Sequence, residues 1–240
     1  MLQKAGICMI LGHDESQNTV NSLAEDAYKR LEEMIVTTEL KPNTIVSEKE
    51  ISEYLGIGRT PVREALKKLE QTKAITFLPR KGILVRIVSV AELLQQMEVR
   101  EVLEDLAVNS ASLYATPAER SRLVSLAARY RELTETWEPA IEALRIDDAF
   151  NRLLCQCSKN GYIADALLPL HTLARRNYYL NYFVDKELTR DVNLLHAELM
   201  DTISGGDAAA AVECNHRLLE AVKKFSSLSL RVWLPGVENI

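Results

Sequence analysis

Cysteine, glycine and proline are all scarce in this 240-residue chain, and no long apolar run is present. The four cysteines, Cys8, Cys155, Cys157 and Cys214, form no Cys-x-x-Cys pair, so neither a zinc ribbon nor a disulfide framework is indicated. Cys155 and Cys157 stand two apart on an expected helix, point to different faces, and are read as reduced core or surface residues. No apolar stretch reaches the roughly 18 to 20 residues that cross a bilayer. The brief apolar run Ile7–Leu11 has no convincing small-residue cleavage site after it. The expectation is a cytoplasmic protein, with no membrane partner, that opens on a flexible tail at residues 1–19. An apolar fraction of 47% places it among globular proteins and excludes disordered and collagen-like classes.

A net charge of −5 argues against a uniformly sticky nucleic-acid binder, but the average hides an asymmetry. Residues 58–88 hold eight Lys/Arg (Arg59, Arg63, Lys67, Lys68, Lys73, Arg80, Lys81, Arg86) against Glu64 and Glu70, a net +6 that leaves −11 for the rest. A confined basic patch on an acidic molecule is the footprint of one phosphate-binding face.

The same region carries helix and turn signals. Ala24–Glu39 places Ala27, Leu31, Met34 and Ile35 on one helical stripe that ends before Lys41-Pro42-Asn43. Thr44–Val46 reads as a short strand, and Ser47-Glu48-Lys49-Glu50 has the spacing of a capping box, which starts a second helix near Glu48. Past the turn at Gly56, a third helix opens. Its cap is Thr60, just ahead of Pro61, or Gly58 two residues earlier, and its buried face is Val62, Ala65, Leu66 and Leu69. Ala74–Leu78 and Ile83–Ile87 are β-rich runs about the turn Pro79-Arg80-Lys81-Gly82.

The fold class is therefore mainly α: an N-terminal winged helix-turn-helix with a small β-hairpin wing over residues 20–88, then a C-terminal all-α helical bundle over 89–232. Apolar residues at three- and four-residue spacing predict helices near 90–115, 117–135, 138–158, 161–184, 187–204 and 207–229, with 233–240 as a tail.

Arg59, Thr60 and Arg63 fall in the first turns of the third helix, the part that enters a DNA major groove in such motifs. Arginine suits guanine because its planar fork donates two hydrogen bonds to O6 and N7. At i and i+4, Arg59 and Arg63 share a face turned away from Val62 and Leu66. Lys49 on the second helix, and Arg80, Lys81 and Gly82 in the wing, are placed for phosphates. Taken alone, Arg63-Glu64 and Lys67-Lys68 would read as a solvated helix surface. The capping box, turn, wing and +6 stretch together favour DNA.

Leu40–Val85 resembles the winged-helix domain of GntR-family bacterial transcription regulators. Leu40, Pro42, Glu48, Leu55, Arg59–Leu66, Leu69 and Gly82 carry the resemblance, whereas Asn43, Ile51-Ser52, Gly58 and Thr72-Lys73 stand where the family usually has Gly, Leu-Ala, Ser and Glu-Gly. Val99–Glu104 resembles the opening of the helical FCD domain of the FadR branch. The resemblance implies a regulator, more commonly a repressor, that works as a homodimer on a palindromic or near-palindromic double-stranded DNA operator and responds to a small organic acid effector.

In many members an Asp and three His hold a divalent metal inside the bundle. The matching positions here are Asp147 and Asn151 on one helix, with His196 and His216 from two others. Asn151 stands where histidine is usual, and its amide oxygen is the weaker donor, so Zn, Ni or Mn would be held less tightly. Residues 89–240 carry 16 Lys/Arg against 22 Asp/Glu, a poor host for an anion unless a buried cation or an arginine reverses the sign locally. Arg100 is the effector candidate, with an i, i+4 salt bridge to Glu104 as its competing reading. Two alternatives stand beside this one. The first is a metal-free regulator that binds an acyl ligand. The second is a metal-dependent hydrolase fused to a DNA-binding module, in which Asp147, His196 and His216 support an activated water. No nucleophile or additional general base accompanies the latter, and the chain is not read as an enzyme.

Overall fold

The computed structural model describes residues 15–137 and 139–232, so Cys8, the C-terminal tail and most of the expected N-terminal tail lie outside the described residues. Residues 15–19, expected in that tail, are helical: α1 runs Glu15–Val36. It stops three residues short of the predicted end, because Thr38 turns to φ 60° and Leu40 N–H folds back onto the Met34 carbonyl at 2.9 Å.

The strand β1 (Ile45–Val46) precedes α2 (Glu48–Leu55), whose capping box closes as the sequence predicts. Ser47 Oγ accepts from Glu50 N–H at 3.2 Å while Glu50 Oε2 accepts from Ser47 N–H at 2.8 Å. Gly58, not Thr60, caps α3 (Arg59–Gln71), with no side-chain hydrogen bond, so Thr60 lies inside the helix and Pro61 is buried. The hairpin of β2 (Ile75–Leu78) and β3 (Gly82–Val85) pairs with β1 in the antiparallel order β1-β3-β2. Gly82 has φ 117°, and a Cβ there would meet the Val46 carbonyl oxygen at 2.7 Å, which is why this tip needs glycine. Asn43 and Lys73, two of the departures from the family pattern, keep the glycine conformation at φ 63° and 59°. That costs roughly 1 to 2 kcal/mol for an ordinary residue such as Lys73 and less for asparagine.

Six further helices follow among the described residues: α4 (Val90–Tyr114), α5 (Pro117–Thr136), α6 (Ala140–Cys157), α7 (Gly161–Asn181), α8 (Lys186–Gly205) and α9 (Ala208–Val232). Capping boxes at Ser89–Glu92 and Thr116–Glu119 start α4 and α5, and Gly206 at φ 84° ends α8. Their core is built on the fully buried Tyr130, Phe150, Tyr182 and Phe225. Cys155, Cys157 and Cys214 are buried in it, and burial pushes the thiols up to about 12, 11 and 11, which leaves them unreactive. The core of the N-terminal half is closed by Leu93 of α4 and Leu173 of α7, so the two halves share packing.

Candidate functional site

The buried face of α3 (Pro61, Val62, Ala65, Leu66, Leu69) holds the helix against α1, and this turns Arg59, Thr60 and Arg63 outward. The α3 N-terminus, the start of α2 and the wing line one groove, in which Lys49, Arg59 and Arg63 face Gly82. Arg80 and Lys81 are exposed at the wing tip, where Arg80 adopts φ 63°. Arg59 makes no ion pair among the described residues. Arg63, by contrast, gives its fork to Glu48 of α2, with Nε–Oε1 at 3.0 Å and Nη2–Oε2 at 2.7 Å. That hydrogen bond raises the guanidinium above its usual value. Two arginines on one face are thus unequal: Arg59 is free to meet a base edge, whereas Arg63 must exchange a carboxylate for one.

A second feature lies inside the bundle, a cavity of about 40 Å³ walled by Arg100, Tyr130, Asp147, Asn151, His171, Arg175, His196 and Phe225, among others. Three of the four predicted metal ligands meet there. His196 donates through Nδ1 to the Val192 carbonyl at 2.8 Å, which leaves Nε2 facing Asp147 Oδ1 at 3.4 Å. Its ring stacks on Tyr130 with centroids 5.4 Å apart. Burial works to raise the Asp147 carboxyl, but the hydrogen bond from His196 and the charges of His196, His171 and Arg175 hold it below the usual range. Asn151 donates from Nδ2 to Asp147 Oδ2 at 3.0 Å.

The fourth, His216, does not join them. Nine residues before the cavity-lining Phe225, it sits half a turn round α9 at 100° per residue. Its Nε2 lies 2.7 Å from Asp105 Oδ2, a hydrogen bond that raises its pKa, and the side chain is 44% exposed. Among the described residues no three His, Cys, Asp or Glu side chains gather as a metal site. The donor set therefore does not fit the expected divalent ion. Of the four expected ligands, one carboxylate and one imidazole converge, and the amide of Asn151 spends an N–H on that carboxylate.

Arg100 satisfies both of its readings, since it lines the cavity and also pairs with Glu104 at 2.7 Å. The sequence reading missed two polar neighbours on α7. His171 places Nε2 3.0 Å from Glu104 Oε1, and its Nδ1 is buried with no hydrogen-bond partner. Burial, with the Arg100 charge beside it, lowers the His171 pKa despite Glu104. Arg175 pairs with Glu32 of α1 at 2.6 Å and Asp148 of α6 at 2.7 Å, and its Nε is likewise buried without a partner. The available signal was the spacing of His171, Arg175 and Tyr178, four and three residues apart on one face of α7.

The model of the gntR family of bacterial regulatory proteins matches residues 23–85, and the FCD domain model matches residues 95–221. The chain belongs to the GntR family, in its FCD branch. An HTH-type transcriptional regulator from an unstable DNA locus of Streptomyces ambofaciens is 29% identical over 211 residues, 82% of each chain. The transcriptional repressor RspR of Escherichia coli K12 is 26% identical over 69% of this chain and 72% of its own length. In fold, E. coli McbR/YncC superposes with a TM-score of 0.74 at 20% identity, covering 87% of this chain and 98% of that one. As a GntR-family protein the chain is a DNA-binding transcriptional regulator, not an enzyme, and the hydrolase alternative falls. No helix among the described residues is long and apolar enough to cross a membrane.

Proposed function

We propose that this regulator is a cytoplasmic homodimeric repressor whose hold on its operator is set by a small hydroxylated organic acid in the α4–α9 cavity, without a metal. The observation that carries this reading is the pair of buried, unpartnered polar atoms in the cavity wall: Arg175 Nε, a donor, and His171 Nδ1. With Nε2–H donated to Glu104, Nδ1 is an acceptor, so a ligand carrying both a carboxylate and a hydroxyl supplies what each atom needs. Arg100, Asp147, Asn151, His171, Arg175 and His196 in the cavity wall suit a small polar acid and weigh against the acyl-responsive alternative. The repressor sense follows the name of the E. coli relative RspR.

In this reading the domains divide at residues 88 and 89. Arg59, Thr60 and Arg63 meet bases, while Lys49, Arg80, Lys81 and the backbone at Gly82 meet phosphates. A thermal-shift screen of small acids tests the effector. Glycolate and lactate should stabilise the protein more than acetate and propionate do, approaching about 2.7 kcal/mol at 100 times the dissociation constant. EDTA should leave the shifts unchanged. A response abolished by EDTA would sink the metal-free reading.

The dimer seam we propose is α4. Val99, Val102, Leu106 and Leu113 stand 50%, 71%, 49% and 55% exposed, spaced by three, four and seven residues as in a heptad seam. A second copy related by a two-fold axis covers the stripe and matches paired half-sites in DNA. Sedimentation equilibrium should give a dimer for the wild type. A V102E/L106E variant, which forces two carboxylates into an apolar contact, should dimerise at least about a hundredfold more weakly; unchanged association would place the seam elsewhere.

A further inference from the structure

Arg175 belongs at once to the cavity and to the contact between the two halves of the molecule. Its side chain and that of Leu144 line the internal cavity, and the same two residues line a separate cleft of about 210 Å³ between α1 and α6. They form the wall between ligand space and domain boundary. On the far side of that wall, Arg175 Nη2 lies 2.6 Å from Glu32 Oε1 and Nη1 lies 2.7 Å from Asp148 Oδ1. Glu32 is the residue that ties α1 of the DNA-binding half to α7. It is 6% exposed and also accepts from Thr172 Oγ1 at 2.6 Å and from Tyr28 hydroxyl at 3.0 Å.

We infer that Arg175 is the coupling residue: a carboxylate bound in the cavity competes with Glu32 for its guanidinium and so loosens α1, and with it α3, from the helical domain. The inference rests on the effector reading above. Its physical basis is that one guanidinium has five donors in a fixed plane. Nε is still unpaired, and a bidentate carboxylate takes it together with one N–H of the adjacent Nη; the fork is a rigid plane, so drawing it into the cavity pulls its other N–H groups away from Glu32. Asp148 is also held by Arg152 Nε at 2.8 Å within α6, so its position does not depend on Arg175. The contact with Glu32, by contrast, bridges the halves. α1 packs directly on α3, so movement of α1 is passed to the helix bearing Arg59 and Arg63. Linkage then requires the converse: whatever weakens the Glu32–Arg175 pair strengthens ligand binding by the same factor.

The test uses the full-length chain, glycolate as the probe, and Glu32→Gln, an isosteric change that keeps acceptors for Tyr28 and Thr172. Calorimetry should give E32Q an affinity about tenfold or more above wild type, within the usual span of allosteric coupling. Hydrogen exchange of α1 amides between residues 29 and 36 should quicken at least about fivefold when wild type is saturated. In E32Q it should already be fast and hardly respond. A second variant, Arg175→Met, should bind no glycolate; if it fails to fold, E32Q decides alone. Equal affinity in wild type and E32Q with unaltered α1 exchange overturns the coupling and leaves the effector reading standing. Absence of glycolate binding to either folded protein overturns the hydroxy-acid reading, and the inference with it.

Discussion

Replacing Arg59 and Arg63 together with alanine should abolish sequence-specific DNA binding while leaving the fold intact. Both side chains are exposed, and the helix that bears them is held by Val62, Ala65, Leu66 and Leu69 on the opposite face, so the change removes no core contact. A bidentate arginine–guanine contact is worth roughly 1 to 3 kcal/mol of discrimination, and the loss of two lowers affinity for the preferred duplex by about 30-fold to 10⁴-fold. Because Arg63 must first leave Glu48, whose two oxygens it grips at 2.7 to 3.1 Å, Arg59→Ala alone should account for most of the loss. The duplex is obtained by selecting from a random pool with the wild-type protein, and anisotropy titrations at several salt concentrations give both affinity and slope. Lys81→Ala serves as the contrast: it should weaken all sequences alike and lower the salt slope by about one. If the double variant still prefers the selected duplex, α3 does not read the bases.

Local rules carried the sequence reading a long way in the DNA-binding half, and less far in the bundle. Capping at Ser47, the hairpin about Pro79–Gly82 and the helix breaks at Thr116-Pro117, Asn160-Gly161 and Gly205-Gly206 are dictated by neighbours within four residues, and all appear in the structure. Which face of a long helix looks inward is a different matter. It depends on how six helices pack, and on α9 a shift of two residues turns a side chain through about 200°. That is why His216 pairs with Asp105 at the surface while Val222 and Phe225 of the same helix line the cavity. His171 and Arg175 escaped notice for the converse reason. A histidine and an arginine on a helix read as solvated until the packing of α4 and α1 encloses them. Arg100 lay between these cases, since its i, i+4 partner Glu104 was visible in the sequence and its burial was not.

That pair gives the largest stability effect expected in the helical domain. Glu104 is 5% exposed, takes Arg100 Nε at 2.7 Å and faces His171 Nε2 at 3.0 Å, so one carboxylate neutralises Arg100 and orients two cavity-lining groups. Glu104→Gln leaves the buried Arg100 guanidinium without its counter-charge and should cost about 3 to 5 kcal/mol, read as a lowered urea midpoint at pH 7. Burial alone would push the Glu104 carboxyl up, but the Arg100 charge and the His171 contact overcome it and bring it down to about 2. Its folded value therefore lies below its unfolded one, near the ordinary carboxylate value of 4.5. The carboxylate contributes its stabilisation fully above that unfolded value and loses it as pH falls toward and through about 2. Wild-type stability should accordingly drop across this window by an amount on the order of 3 kcal/mol from this residue, and the E104Q profile should be flatter over the same range. An R100M/E104L variant, which removes both charges and keeps the volume apolar, should recover much of the loss. Should it remain as unstable as E104Q, the cost would lie in packing and not in the unpaired charge. Either variant should also weaken the organic acid's binding, because Glu104 fixes the His171 tautomer that presents an acceptor to the cavity.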